Sequence, residues 1–311
     1  LGFRASRSRG DSATTASTLN DLVTLRVIEL SIDEIELPDV PWCWLAFGSE
    51  GRLEQLLATD QDNGIVFEAQ TPIEAAALRA VFVPFARVVN QRLDACGFPL
   101  CRGNIMAGNP QWCLSLGEWR RHFAAWINTP EPEAVLNASI FFDLRPLYGA
   151  HSLAAQLQQW LLQTTAASRL FLRTLTDNAL QLSPPLGIIR TFAYSSEYPN
   201  TIDLKGQGAR LFVDVARVLA LAHQIPETNT AQRLRLAALS KQLGGDDVRA
   251  IVDAFFFIQL LRLRNQHEGA ASAAANRVNP AHLNELDRLI LKEAFKQARK
   301  LQQRMKLDYQ L

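Results

Sequence analysis

Residues 1–18 form a polar stretch rich in Ser, Thr and Arg, a pattern that predicts a linker or frayed start. Leu19, Leu22, Val23, Val27 and Ile28 then recur near one face of a predicted helix over 19–30. The apolar run from Trp42 to Phe47 predicts a buried strand stopped by Gly48. A short helix-like stretch over 52–58 leads to a second predicted strand over 60–67. Apolar residues at helical spacing over 72–96, behind Pro72, predict an amphipathic helix. Residues 99–107 read as strand and turn, and Asn109-Pro110 as an N-cap and first-turn proline opening a helix to about Ile127. A third apolar strand is predicted over 139–144, ended by Pro146. This mixture predicts a compact α/β domain over 19–150, with residues 1–18 outside it.

Beyond His151 the strand signals nearly vanish. Helical patterns run over 151–181, 208–224, 230–243, 246–267 and 280–306, separated by Pro184-Pro185, Pro199, Pro226, Gly244-Gly245 and Pro280. Residues 151–311 therefore read as an all-α bundle, and the fold class is α+β. A chain of 311 residues is long enough for two cores of this kind.

Composition narrows the classes. With 48% hydrophobic and 20% charged residues, the chain is neither collagen-like nor disordered. A net charge of +1 argues against a dedicated nucleic-acid binder. The two halves differ, however. Residues 1–150 carry 12 Lys and Arg against 18 Asp and Glu, and residues 151–311 carry 20 against 13. An acidic half beside a basic half suits a metal-complexed polyphosphate, and equally suits simple docking of two domains by opposite charge. Cys43, Cys96, Cys101 and Cys113 form no C-x-x-C pair, so reduced thiols in a cytoplasmic protein are expected rather than a zinc site. No apolar run approaches the roughly 20 residues that span a bilayer, and there is no signal peptide. The start at Leu1 rather than Met implies that something upstream has been removed.

The chemistry concentrates in Gly48-Ser49-Glu50-Gly51-Arg52, followed ten residues on from Glu50 by Asp60-Gln61-Asp62-Asn63. On a strand, residues i and i+2 point to the same side, so Asp60 and Asp62 project together. Two carboxylates so placed repel unless a cation lies between them, and hard oxygen ligands select Mg²⁺. Gly48 lets backbone approach a phosphate without a Cβ, Ser49 offers a hydroxyl and an N–H, and Arg52 adds a cation within reach of the turn. Asp143 interrupts the apolar segment Phe141–Leu144, where an unpartnered carboxylate is costly, and so should face a site beside Arg145.

Other candidates carry less. Lys205 precedes a helix in the basic half and is either a triphosphate contact or a surface lysine. Arg262 and Arg264 either line a cleft or pair with acids. Arg262-x₄-His267 also fits the loose pattern of HEPN ribonucleases, but Arg277-x₄-His282 fits it equally. His122, His151 and His223 have no partner at a suggestive spacing. No P-loop, G-x-S-x-G or kinase motif set occurs.

The segments GSEGRLEQLLATDQDN (48–63) and FFDLRPLYG (141–149) resemble the signature of the DNA polymerase β-like nucleotidyltransferase superfamily. With NIMAGNPQW (104–112), IDLKGQGARLFVDVARVLALA (202–222) and LRLRNQHE (261–268), the chain is similar to the DUF294-type nucleotidyltransferases over about residues 20–308. These in turn resemble the nucleotidyltransferase domains of the PII uridylyltransferase and glutamine synthetase adenylyltransferase. The resemblance implies a polymerase β-like domain with a small mixed sheet over 19–150 and a substrate-binding helical domain over 151–311. It implies transfer of a nucleoside monophosphate from ATP or UTP to a hydroxyl, on a regulatory protein by analogy, with pyrophosphate release. Asp60 and Asp62 would hold two Mg²⁺ ions (or Mn²⁺), and Asp143 would hold the catalytic one and help deprotonate the acceptor. Gly48, Ser49 and Arg52 would hold the β- and γ-phosphates. Relatives often carry cyclic-nucleotide-binding and CBS domains upstream. A non-catalytic nucleotide-sensing module and a HEPN-type ribonuclease pairing are the alternatives.

Overall fold

The computed structural model describes residues 2–57, 59–187, 192–240, 245–267 and 273–309. The chain divides into two compact units, Thr14–Phe171 and a second made of Leu172–Leu311 with Leu1–Ala13.

The first unit is built on a four-stranded mixed sheet in the order β3-β2-β1-β4. Strand β1 (Trp42–Ala46) pairs antiparallel with β2 (Asn63–Phe67) and with β4 (Arg145–Gly149), while β2 pairs parallel with β3 (Cys113–Ser115). Every residue of β2 is buried, as befits a central strand covered on both faces. Helix α3 (Pro72–Ala95) covers one face through Phe82, Phe85, Val89 and Leu93, packed on Trp44, Ile65 and Phe67. Pro72 sits in its first turn as the sequence predicts, and the Thr71 side chain caps it, accepting from the Glu74 N–H at 3.1 Å. Val27 and Ile28 of α1 (Gly2–Ile32) join the same core. Helices α4 (Leu116–Asn128) and α6 (His151–Ala167) pack on the sheet as well, and Cys43, Leu45 and Val66 are equally buried.

Several expectations are corrected. Helix α1 extends back to Gly2, where the polar composition predicted a linker over 1–18. Of the five apolar positions named for it, Leu19, Leu22 and Val23 are exposed and Val27 and Ile28 enter the core. Residues 52–57 form no helix, and Ala58 lies outside the described residues. The helix expected from Asn109 is broken: Pro110–Trp112 makes one 3₁₀ turn, β3 follows, and α4 starts afresh on a Ser115–Glu118 capping box. The strand expected over 139–144 is the end of helix α5 (Pro132–Phe141) and a turn. The strand is β4, and Pro146 lies inside it, which an edge strand tolerates. Helix α6, assigned by its pattern to the helical half, belongs to the sheet unit.

The second unit is helical. Helix α8 (Arg210–Ala222) is buried from Leu211 to Leu221 and packs on α9 (Thr230–Ser240) and α11 (Glu285–Tyr309), with its Phe212 ring against Phe255 of α10 (Gly245–His267) and α7 (Arg169–Gln181) running into this unit. A two-stranded ribbon, Ile202–Asp203 with Arg277–Val278, interrupts the helices. Among the described residues no helix is long and apolar enough to cross a membrane.

Candidate active site

The site is built at the end of β1. After Ala46 the chain turns into a single helical turn, α2 (Gly48–Gly51), with Gly51 N–H donating to the Phe47 carbonyl at 2.9 Å and Arg52 N–H to Gly48 at 3.1 Å. The N–H groups opening such a turn have no intrahelical acceptor, which leaves this corner rich in donors. Two glycines make the turn fit. Gly48 has φ +52°, and a Cβ there would sit 3.0 Å from the Asp62 Oδ2, so that carboxylate lies over the turn. A Cβ on Gly51 would fall 1.8 Å from the Asp143 carbonyl, so the segment before β4 presses on the turn from its other side.

Sheet register explains this convergence. Ala46 pairs with Asn63 on one side and Arg145 on the other. Asp62 and Asp143 therefore arrive from opposite flanks of the Phe47–Gly48 corner, and Phe47 N–H donates to the Asp62 carbonyl at 2.8 Å. Asp60 and Asp62 precede β2 rather than lie on it. Both are half-buried, whereas the intervening Gln61 and the following Asn63 are buried.

Asp143 is completely buried and accepts from Arg52 Nη1 at 2.7 Å, while Arg52 Nε donates to Glu54 at 2.9 Å. Arg52 is thus committed to two carboxylates rather than poised for a phosphate. Nor does Arg145 orient Asp143: its Nη2 donates to Asp21 of α1 at 2.8 Å and to the Glu50 carbonyl at 3.1 Å. Among the described residues, no three His, Cys, Asp or Glu side chains gather closely enough to hold a metal ion. Asp60, Asp62 and Asp143 are therefore not gathered into one such group here, and Asp143 is paired with Arg52.

Sequence reasoning missed three neighbours. Glu50 is buried and its carboxyl is pushed up to about 8, chiefly by burial, with Arg145 pulling it down and Asp21 and Asp62 pushing it up. The Asp62 N–H donates to this carboxylate. Cys101 lies against Asp62, its thiol raised by burial and held by the Ile105 and Gly103 amides. Asn90 of α3 bonds both Gln61 and Asn63. The D-Q-D-N alternation of acid and amide was the available signal for the last of these.

In the second unit, Lys205 is exposed at the head of a π-helical turn (Lys205–Ala209). Arg262 is buried and bonded to Gln259 and Asn276, which gives the ribonuclease alternative no accessible arginine at that position. Arg264 pairs with Asp287 at 3.2 Å within its own unit. Glu268 lies outside the described residues.

Residues 3–133 match the family model "Putative nucleotidyltransferase DUF294", and residues 169–309 match "Putative nucleotidyltransferase substrate binding domain". The chain belongs to the DUF294 nucleotidyltransferase family. No curated protein matches it. In this DUF294 chain the first match holds Gly48, Ser49, Arg52, Asp60 and Asp62, and the second holds Lys205, Arg262 and Arg264. Asp143 falls between the two matches.

Proposed function

We propose that this chain transfers a nucleoside monophosphate from ATP or UTP to a hydroxyl of an acceptor protein, with Mg²⁺ held by Asp60 and Asp62. One observation carries the reading: the Asp62 carboxylate lies directly over the Gly48 turn, so an acid and a donor-rich, Cβ-free corner line the same spot. That combination suits a metal-complexed polyphosphate.

The donor set fits the ion. Mg²⁺ is usually held by one or two carboxylates together with substrate phosphates rather than by an all-protein cage, and two half-buried aspartates, one of them lying over the Gly48 turn, suit that arrangement. When bound, the metal (two ions, or Mn²⁺ in its place) supplies charge neutralisation for the triphosphate and for pyrophosphate as it leaves. The residues do the rest. Gly48 and the Ser49 amide and hydroxyl receive the β- and γ-phosphates. Asp60 and Asp62 would hold the metal beside the triphosphate. The acceptor oxygen bonds to the α-phosphorus, the bond to the bridging oxygen breaks, and the acceptor proton passes to a carboxylate. Asp143 is the third carboxylate at this end of the sheet, and it serves only by exchanging its partner Arg52. Lys205 is the candidate of the helical unit for the triphosphate, and regulatory cyclic-nucleotide-binding or CBS domains upstream would fit a signalling role.

The test is a turnover assay with labelled ATP and UTP, Mg²⁺ and cell lysate, comparing wild type with Asp60→Ala/Asp62→Ala. Pyrophosphate release with label on a protein, lost in the variant, is expected. The Arg52–Asp143 pair favours one second reading, a nucleotide sensor without turnover. Tight nucleotide binding with no pyrophosphate would establish that reading instead.

A further inference from the structure

Beneath the two aspartates lies a buried amide network that the proposed chemistry does not use. Asn90 Nδ2 donates to Gln61 Oε1 at 2.8 Å and to Asn63 Oδ1 at 3.0 Å. Gln61 Nε2 donates back to the Asn90 carbonyl at 3.0 Å and to the Phe98 carbonyl at 2.7 Å. Asn63 Oδ1 also accepts from the Ala107 N–H at 2.8 Å, and Asn90 Oδ1 accepts from the Gly108 N–H at 3.0 Å. All three side chains are at least 97% buried.

In an extended segment alternate residues face opposite ways. Gln61 and Asn63 are fastened inward, so Asp60 and Asp62 are turned outward by the same backbone. Burying three amides is costly unless their polar atoms are bonded, and the bonds above engage both polar atoms of Gln61 and Asn90 and the Asn63 oxygen, which favours one arrangement. Helix α3 supplies the anchor, since its Asn90 bonds both inward members at once.

We infer that Asn90, acting through Gln61 and Asn63, is a positioning residue that sets the aim and spacing of the Asp60 and Asp62 carboxylates toward a divalent cation. This rests on the reading that those aspartates hold the metal. The network stands in for the outer shell that orients ligating carboxylates in metal sites, where its loss weakens metal affinity about 10- to 100-fold.

The experiment is titration of the whole chain with Mn²⁺ in the presence of a non-hydrolysable ATP analogue, followed by electron paramagnetic resonance, for wild type, Asp62→Asn, Asn90→Ala and Gln61→Met. Circular dichroism establishes that each is folded. The last two perturb the network from different elements, so one remains informative if the other fails to fold. The expected result is binding by wild type, loss in Asp62→Asn, and a Kd raised about 10- to 100-fold at undiminished stoichiometry in the network variants. Loss in Asp62→Asn alongside wild-type Kd in a folded network variant overturns the inference and leaves the metal reading standing. Reduced stoichiometry at unchanged Kd does the same, since it marks a merely structural role. Absence of binding by wild type, or unchanged binding in Asp62→Asn, overturns the metal reading itself.

Discussion

Arg52 Nη1 donates to the Asp143 carboxylate across 2.7 Å, joining residues 91 positions apart and tying the turn after β1 to the segment before β4. Asp143 has no exposure at all, and Arg52 brings a cation against its carboxylate. Removing one member of a buried pair strands the other, at a cost of about 3–5 kcal/mol. Urea denaturation of Arg52→Met should show a loss of at least that size, and Arg52→Met/Asp143→Asn should recover only part of it, because buried Glu54 also loses Arg52. A single variant as stable as wild type would mean that the pair contributes nothing.

The two glycines of the turn should respond unequally to alanine. At Gly51 a Cβ would overlap the Asp143 carbonyl, so Gly51→Ala must displace backbone and should abolish folding or activity. At Gly48 the atoms nearest the Cβ all belong to the Asp62 side chain, and a left-handed φ costs about 1–2 kcal/mol for a non-glycine residue. Gly48→Ala should fold, lose stability in that range, and bind Mn²⁺ more weakly. Equal effects at the two positions would contradict this geometry.

Glu50 makes stability depend on pH in the direction opposite to most carboxylates. Its carboxyl releases a proton near 4.5 in an unfolded chain and near 8 in the folded one. Between those values the folded state binds more protons, so stability falls as pH rises and the loss is complete above about 8. Glu50→Gln should remove this slope, worth on the order of a few kcal/mol. Arg145→Met should extend the loss to higher pH, because Arg145 is the larger of the two influences that favour the charged form. Melting temperatures at pH 5 and pH 8.5 decide the matter: a variant and wild type with parallel profiles would rule out Glu50 as the source.

Helix α4 rests on its capping box, in which the Ser115 hydroxyl accepts from the Glu118 N–H and Glu118 accepts from the Ser115 N–H at 2.8 Å. Ser115→Ala should cost about 1 kcal/mol. The loss is readable as a lowered denaturation midpoint with an unchanged slope.

Much of this was legible in the residues themselves. The Pro72 start of α3 and the apolar run of β1 carry local signals strong enough to stand alone. So does the pairing of a glycine-serine turn with two alternating acids. Other parts were not legible, because the deciding forces act over long separations. Ser139 to Leu144 is apolar without a period, so it reads equally as strand or helix, and only packing on α4 resolves it. Arg52 looked like a phosphate ligand because Asp143, its actual partner, lies 91 residues away. Asn90 carried no signal in isolation, since a lone asparagine on a helix gives no hint of the two amides it meets.

Strand β4 has a consequence for association. It closes one edge of the sheet, and Trp44 pairs with Tyr148 while Leu45 pairs with Pro146, which leaves Leu147 as an extra, bulged residue. A proline offers no N–H, and a bulge twists the backbone out of line. A foreign strand approaching that side would find an interrupted ladder to copy, so this border of the molecule is guarded against the edge-to-edge stacking that turns open sheets into fibres.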